Sequence, residues 1–267
     1  MEQPLPAERY RLIEALLRER RAVRVSALAE ELGVSEVTVR RDLEELEHRG
    51  TLERTHGGAI SAQRLRHEAP YSEASAANSG PKRAIGAAAA GLVRPGDSVF
   101  LNGGTTTLQV FRHLRASDAH LVTNHVGMAM EADGQGMELL LIGGDYRPQS
   151  NSCTGGFAVE TLRRVFATRA FIGVEGLSLR SGLTTPAAPE AEVARVMIEQ
   201  TTGDVVVVAD HTKVGTVADF AVASLDRVTA LVTDAGIDDD YRGQLADVGI
   251  DVVVAEELAD ATGGHRG

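Results

Sequence analysis

Residues 26–58 read SALAEELGVSEVTVRRDLEELEHRGTLERTHGG, and the fold of the first part of the chain follows from this stretch. Two short helical patterns flank Gly33, a residue suited to the left-handed turn between them. Ser35 is a good N-cap for the second helix, whose apolar stripe includes Val39 and Leu43. Two helices joined by a short turn containing glycine are typical of a helix-turn-helix, whose second helix enters the DNA major groove.

Polar side chains outside that apolar stripe are the candidate DNA contacts. They are Ser35, Glu36, Thr38, Arg40 and Arg41. The alternative is that the two arginines pair with glutamates four residues away on a solvated helix. The residues after Gly50 favour DNA binding, because a strand, a glycine-tipped turn and a second strand predict a wing. Arg54 and His56 on this wing could reach a phosphate or the minor groove.

Residues 34–43 (VSEVTVRRDL) and 54–59 (RTHGGA) resemble the amino-terminal winged helix of the DeoR family of bacterial transcriptional regulators. The resemblance implies a winged helix-turn-helix DNA-binding domain, rich in α-helix, over residues 1–60. A helical pattern at residues 7–20 precedes it. An extended segment at residues 23–25 is placed to pair with the wing.

Charge is distributed unevenly along the 267 residues, a length that fits one small and one mid-sized domain. The net charge of −11 argues at first against a nucleic-acid partner. Residues 1–67, however, contain 12 basic and 12 acidic side chains, so the excess of negative charge lies downstream. DNA binding would then depend on a local arginine face. Lysine occurs only as Lys82 and Lys213, beside 25 arginines, so each lysine needs an explanation.

Several classes of protein are disfavoured by what the sequence lacks. Cys153 is the single cysteine, which excludes an internal disulfide, and there is no paired Cys/His spacing for a metal site. We therefore predict no metal and no cofactor, and we interpret His113, His120 and His125 as surface or loop residues. No apolar run approaches the length of a membrane span, and the start lacks a signal-peptide core. We expect a soluble cytoplasmic protein.

The pattern changes after the wing. Residues 61–81 have little periodicity and are interpreted as a linker with room for a short helix. From residue 82 onward, helices alternate with short apolar strands. The strands are predicted at 98–102, 120–123, 138–142, 169–174, 204–209, 228–233 and 251–254, and the helices at 82–92, 106–114, 125–131, 157–166, 189–200 and 238–247. Residues 82–267 thus predict an α/β domain, with a mainly parallel sheet covered by helices on both faces, for effector sensing and oligomerisation.

Polar residues follow these strands at the edge where ligands bind in open α/β sheets. The first strand runs into NGGTTT at residues 102–107, where glycines allow close approach and threonines open a helix. Backbone N–H groups and hydroxyls at such a start suit a phosphate, although an ordinary capped turn is the alternative. Asp210 and Lys213 follow a later strand. Lys213 is a candidate phosphate partner, and a plain surface lysine is its alternative.

These clusters resemble the carboxy-terminal sensor domain of the same family, which looks like the sugar-phosphate isomerase fold and binds phosphorylated sugars or related metabolites. The matching pieces are residues 104–107, 122–124, 143–144, 171–173, 182–184, 190–193, 209–213 and 233–234. The resemblance implies an effector site, in which the threonines hold the phosphate. Its residues are Asn102, Gly104, Thr105, Thr106, Thr107, Asn124, Gly144, Glu175, Asp210 and Lys213. Three residues depart from the family pattern: Asn102 replaces the usual Asp, Ala194 a common Lys and Val214 a common aromatic.

We therefore expect a DNA-binding transcriptional regulator, a repressor of a carbohydrate or related metabolic operon. A phosphorylated sugar or similar metabolite would release it from its double-stranded operator, and two half-sites predict a homodimer or homotetramer. The rival is a sugar-phosphate isomerase-like enzyme with a DNA-binding appendage, using Glu175 or Asp210 as general base beside Lys213. The predicted DNA-binding domain favours the regulator. A fold shared with enzymes does not by itself imply their catalytic activity.

Overall fold

The computed structural model describes residues 4–20, 22–54, 57–61, 64–65, 70–114, 119–132, 137 and 139–256. Its first part contains three helices and a small antiparallel sheet with the order β1-β3-β2. The helices are α1 (Pro6–Arg20), α2 (Val25–Leu32) and α3 (Glu36–His48), and the strands are β1 (Ala22–Arg24), β2 (Leu52–Arg54) and β3 (Gly58–Ser61). The predicted winged helix-turn-helix is confirmed, and the extended segment before it pairs with the wing.

Local chemistry explains why α2 and α3 end and begin where they do. Gly33 adopts the left-handed conformation, with φ of 65°, and ends α2. The Ser35 hydroxyl accepts the backbone N–H of Thr38 at 3.2 Å and caps α3. A buried ion pair joins α1 to α3, since both carboxylate oxygens of Asp42 bond to the Arg9 guanidinium, at 2.6 and 2.9 Å. These contacts fix the angle at which α3 is presented.

The stretch after the wing contains two short elements and the start of a longer helix. Strand β4 (Arg64–Leu65) pairs in parallel with β14 (Val217–Ala218). Helix α4 (Tyr71–Ala76) follows, and α5 (Ser79–Ala90) begins three residues before the predicted position. The segment interpreted as a linker therefore includes a short helix, together with a strand and the first turn of α5.

A seven-stranded sheet forms the centre of the second part, and every pairing between its strands is parallel. Its strands are β5 (Ser98–Leu101), β6 (His120–Thr123), β7 (Leu139–Leu141), β10 (Ala167–Ile172), β13 (Thr201–Val208), β16 (Ala230–Asp234) and β17 (Asp251–Ala255). The order is β17-β16-β13-β10-β5-β6-β7. The predicted α/β class is confirmed.

Helices cover both faces of this sheet, as predicted. Val205 and Val207 of β13 pack into one core, and Val206 and Val208 pack into the other, because successive side chains alternate across a strand. The second core is closed by α5, α6 (Thr105–His113) and α7 (Val126–Ala132). The first is closed by α8 (Gly155–Leu162), α9 (Ala188–Glu199) and α10 (Asp239–Asp247).

Short antiparallel strands at the edge of the sheet were missed by the sequence prediction. A hairpin consists of β8 (Asp145–Arg147) and β9 (Ser152–Thr154), and a second group has β12 (Gly182–Thr185) between β11 (Gly176–Ser178) and β15 (Phe220–Ala223). Single 3₁₀ turns occupy His211–Lys213 and Leu225–Arg227. Within the described residues, no helix combines the length and apolar character needed to span a membrane.

Candidate functional site

A cavity of about 510 Å³ lies beyond the carboxyl ends of β5 and β10. These neighbouring strands form the switch point of the sheet, because β6 and β7 extend from β5 while β13, β16 and β17 extend from β10. Ligands bind at such points in open α/β folds. The cavity therefore lies where the fold itself predicts a binding site.

The structure brings most of the predicted effector residues to this cavity. Those that line it are Asn102, Gly104, Thr105, Thr106, Asn124, Glu175, Asp210 and Lys213. The two others do not line it. The buried Thr107 hydroxyl closes the turn, with the carbonyl oxygens of Asn102 and Gly104 at 2.8 and 3.0 Å. Gly144 packs against the β9–α8 junction, where an added Cβ would lie 2.3 Å from the Thr154 carbonyl oxygen.

The amino terminus of α6 forms one end of the cavity. Gly103 and Gly104 precede the helix, and Thr105 and Thr106 open it. An added Cβ at Gly103 would lie 2.5 Å from the Ser152 side chain, so a glycine is needed for this close approach. The first N–H groups of a helix have no partner within the helix, and they favour an anion.

Both lysines of the sequence line the same cavity. Lys213, on the turn after β13, pairs with the Glu175 carboxylate. Lys82, on α5, is buried and donates to the Ala74 carbonyl oxygen at 2.5 Å. Burial lowers the pKa of Lys82, an effect that the nearby carboxylates oppose. The sequence prediction missed Lys82 as a site residue, although the scarcity of lysine was the signal that could have indicated it.

Asn102 ties the two central strands together at the floor of the cavity. Its side-chain amide donates to the Gly173 carbonyl oxygen at 2.9 Å and accepts the Gly173 N–H at 2.8 Å. An aspartate, which the family resemblance led us to expect here, could accept but not donate while ionised. Asn102 thus replaces a charge with a neutral pair of hydrogen bonds. Of the other departures, Ala194 lines the cavity, and Val214 packs against the core.

Asn124 and Asp210 both line the cavity, and they differ in the number of hydrogen bonds that their side-chain oxygens accept. The Asn124 amide donates to the Cys153 carbonyl oxygen at 2.8 Å, which fixes its orientation. Its Oδ1 is buried and has no hydrogen-bond partner among the residues that the structure describes. Oδ1 of Asp210 instead accepts from the backbone and hydroxyl of Thr212 and from the Asn78 amide at 3.2 Å. Asp210 therefore shapes the turn that presents Lys213.

His125 was predicted to be a surface or loop residue, and the structure places it in a loop. The residue lies between β6 and α7, as a loop residue should, yet it is fully buried. Its Nδ1 accepts the Met128 N–H at 3.2 Å, which places the proton on Nε2, 2.9 Å from the Tyr71 hydroxyl. Burial lowers the pKa of His125 to about 4. His120 is exposed and His113 is half-buried.

The predicted DNA contacts lie mostly on the exposed side of α3. Ser35, Glu36, Arg40 and Arg41 are exposed, and Thr38 is half-buried. Arg40 pairs with Glu36 at 3.1 Å, which is the solvated-helix arrangement considered as the alternative.

The rest of this surface includes the wing and a residue that the sequence prediction omitted. Arg54 on β2 is half-buried, and its N–H bonds to a Glu47 carboxylate oxygen at 3.0 Å. His56 lies outside the described residues. Val37, which was not proposed as a contact, is 63% exposed in the first turn of α3.

A winged helix-turn-helix joined to an α/β domain with a polar cavity at its switch point defines a class of DNA-binding proteins that respond to small molecules. Residues 9–64 match the family profile of the DeoR-like helix-turn-helix domain. Residues 77–235 match that of the DeoR C terminal sensor domain. The chain belongs to the DeoR family of transcriptional regulators.

Named relatives agree with this assignment over nearly their whole length. The HTH-type transcriptional regulator GlpR of Haloferax volcanii is 36% identical over 250 residues, which are 93% of this chain and 98% of the relative. The HTH-type transcriptional repressor GlcR of Bacillus subtilis is 32% identical over 251 residues, 94% of this chain and 96% of the relative. The chain is accordingly a transcriptional regulator and not an enzyme.

A solved ribose 5-phosphate isomerase A from Methanocaldococcus jannaschii is also similar in structure. It has a TM-score of 0.37 and 16% identity, over 50% of this chain and 53% of that chain. A likeness this partial supports no conclusion about activity.

Proposed function

We propose that the protein is a repressor whose operator binding is relieved when a phosphorylated sugar, or a metabolite of the same chemistry, binds in the cavity. The observation that supports this most directly is that Lys82, Lys213 and the amino terminus of α6 converge on one cavity. A phosphate bound there would accept hydrogen bonds from the backbone N–H groups at the start of α6 and charge-assisted hydrogen bonds from the two lysine ammonium groups.

The remainder of the cavity offers groups that suit sugar hydroxyls. Asn124 Oδ1 is a buried acceptor that a ligand hydroxyl would satisfy. Glu190 and Gln149 line the same space, and Glu190 is held by the Arg147 guanidinium at 2.8 Å. A volume of about 510 Å³ lies within the usual range for small-molecule sites. A ligand with a phosphate at one end and hydroxyls at the other would match both ends of the cavity, and a sugar phosphate is such a ligand.

We also propose that the protein binds its operator as a homodimer or homotetramer. One winged helix contacts one half-site, and residues 1–67 have no net positive charge to strengthen that contact. Linking two half-sites raises the overall affinity without any new kind of contact. The repressor name of the Bacillus subtilis relative supports repression as the direction of control.

The test is a thermal-shift screen followed by an operator-release assay. The melting temperature is measured with glucose 6-phosphate, fructose 1-phosphate, ribose 5-phosphate or glycerol 3-phosphate, and with the free sugars and inorganic phosphate as controls. A ligand at a hundred times its Kd stabilises the native state by about 2.7 kcal/mol. The active compound should then release an operator duplex, selected from random DNA, in fluorescence anisotropy. Failure of all four phosphates to raise the melting temperature would refute the proposal.

A matched pair of variants tests the phosphate contact. Lys213→Gln removes a positive charge from the cavity, and Arg180→Gln removes one from an exposed position that does not line it. The first change should weaken sugar-phosphate binding by about 1.5–3 kcal/mol, the usual contribution of a charged hydrogen bond. The second should leave binding unchanged in calorimetry. Equal affinities for both variants would remove Lys213 from the site.

A further inference from the structure

The segment between the wing and the parallel sheet forms one wall of the cavity. We call residues 64–65 and 70–78 the connecting segment. Its residues that line the cavity are Tyr71, Glu73, Ala74, Ala77 and Asn78. None of the six residues of α4 is buried, so apolar packing does little to hold this helix in place.

Polar contacts with the sheet domain hold the connecting segment instead. The Tyr71 hydroxyl lies 2.9 Å from Nε2 of the buried His125, and the two rings are tilted with their centroids 5.6 Å apart. At the other end, the Asn78 amide donates to the Asp210 carboxylate at 3.2 Å. Asp210 is itself a lining residue of the cavity. The position of α4 therefore depends on groups in or next to the cavity.

Lys82 is a charged residue of the cavity that also bonds directly to α4. Its ammonium donates to the Ala74 carbonyl oxygen in the last turn of α4. An anion between Lys82 and Lys213 would bond to the same ammonium, and a charged acceptor bonds more strongly than a neutral carbonyl. An anionic ligand and α4 would thus share the Lys82 ammonium as a hydrogen-bond donor. Binding of the ligand would therefore alter the bond from Lys82 to the Ala74 carbonyl oxygen.

The start of the connecting segment contacts the opposite side of the cavity. Strand β4 pairs with β14, which follows directly after Thr216. The Thr216 hydroxyl lies 2.8 Å from the Lys213 carbonyl oxygen and 3.0 Å from that of Glu175. The two cavity residues that form an ion pair are therefore tied to the strand that receives the chain after the wing.

We propose that the connecting segment is the element through which occupancy of the cavity alters operator binding. This inference depends on the proposed function, in that the effector is a ligand of this cavity. A ligand can shift an equilibrium only through groups with which it interacts differently in the two states. Lys82 and Asp210 are such groups, since each bonds to the connecting segment and faces the cavity, and the segment continues into the wing.

Amide hydrogen exchange tests the inference without any ligand. The full-length protein is compared with and without an operator duplex, and exchange is measured for residues 71–78. Binding of DNA to the winged helix should change exchange of the N–H groups of Ala74 and Ala77, which bond to the carbonyl oxygens of Pro70 and Glu73 at 3.0 and 2.9 Å. Protection of residues 36–54 with no change at residues 71–78 would overturn the inference.

Variants test the coupling itself. Tyr71→Phe combined with Asn78→Ala removes two contacts of the connecting segment, while Tyr241→Phe removes a hydroxyl that bonds to the Leu179 N–H at 3.0 Å outside the cavity. The readout is the ratio of operator Kd at saturating sugar phosphate to operator Kd without it, which does not depend on effector affinity. Couplings are typically about 5–150-fold. The double variant should lower the ratio at least about fivefold, and the control should not.

The two proposals fail in different ways. If none of the four phosphate esters releases the wild-type protein, the proposed function is wrong, and the exchange experiment still decides whether the connecting segment responds to the operator. If one of them releases the wild type and the double variant equally, the effector proposal holds and the connecting segment does not transmit the signal.

Discussion

Replacing Asp42 with Ala should disable the winged helix through its stability, although Asp42 is buried and is not one of the predicted DNA contacts. Asp42 is 4% exposed, and its carboxylate accepts from Nε and Nη2 of Arg9, at 2.6 and 2.9 Å. The Arg9 side chain also donates to the Pro4 carbonyl oxygen at 2.8 Å. Asp42→Ala leaves this guanidinium in place without its counter-charge.

The expected cost is large for so small a domain. Removing one partner of a buried ion pair destabilises a protein by about 3–5 kcal/mol, because the remaining charge stays desolvated. A domain of about sixty residues has roughly 3–9 kcal/mol of stability in all. We therefore expect the winged helix of Asp42→Ala to be partly unfolded at 25 °C. The apparent operator affinity should fall in proportion to the fraction of molecules in which this domain is folded.

Two further variants separate this explanation from a direct effect on DNA binding. Glu45→Ala breaks the exposed pair between Glu45 and Arg49 on the same helix and should cost only about 0.3–0.5 kcal/mol. Arg9→Met combined with Asp42→Leu removes both buried charges and should restore most of the stability. Hydrogen exchange of residues 6–48 in the full-length protein measures all three. A loss in Asp42→Ala no larger than in Glu45→Ala would refute the reasoning.

Three other changes have expected outcomes of their own. Arg40→Ala with Arg41→Ala should abolish operator binding in anisotropy titrations and lower the salt slope by about one per lost phosphate contact; unchanged affinity would mark a solvated face. Because the folded pKa of His125 is about 4, below its ordinary 6.5, the unfolded chain takes up the proton first. The free energy of unfolding should be highest above pH 6.5 and should fall by up to about 3 kcal/mol as the pH is lowered to 4. His125→Gln should flatten this decline in denaturant titrations. Asn102→Asp should lower the melting temperature more at pH 8 than at pH 4, where a carboxyl with the ordinary pKa of about 3.9 is half protonated, since only a protonated carboxyl can donate to Gly173.

The main sheet could be predicted because its strands contain short, nearly continuous apolar runs. Residues 205–208 are four valines that alternate between two cores, and such a run fits a strand that is buried on both faces. The short strands β11 and β12 could not be predicted in the same way. They are held by tertiary contacts, such as the bond from the Ala218 N–H to the Thr184 hydroxyl at 2.9 Å, and their local sequence has no strong preference.

The candidate site was predicted only in part, for a geometric reason. The rule that ligands bind past the carboxyl ends of strands led to Asn102, Asn124 and Asp210, and each lies at the cavity. Lys82 and α4 precede the first strand of the sheet, so that rule could not reach them. They come to the cavity because α5 packs across the sheet beside α6, a tertiary arrangement that no local pattern shows.

Three polar groups of the cavity, Asp210, Glu175 and Asn102, are engaged in ways that suit binding rather than catalysis. A general base must be free to accept a proton from the substrate. The Asp210 carboxylate caps the turn that presents Lys213, and the Glu175 carboxylate pairs with Lys213 itself. Asn102 is neutral, and its side chain bonds to both the N–H and the carbonyl oxygen of Gly173. These three groups hold the walls of the cavity in place, which agrees with the proposed role of binding a ligand without changing it.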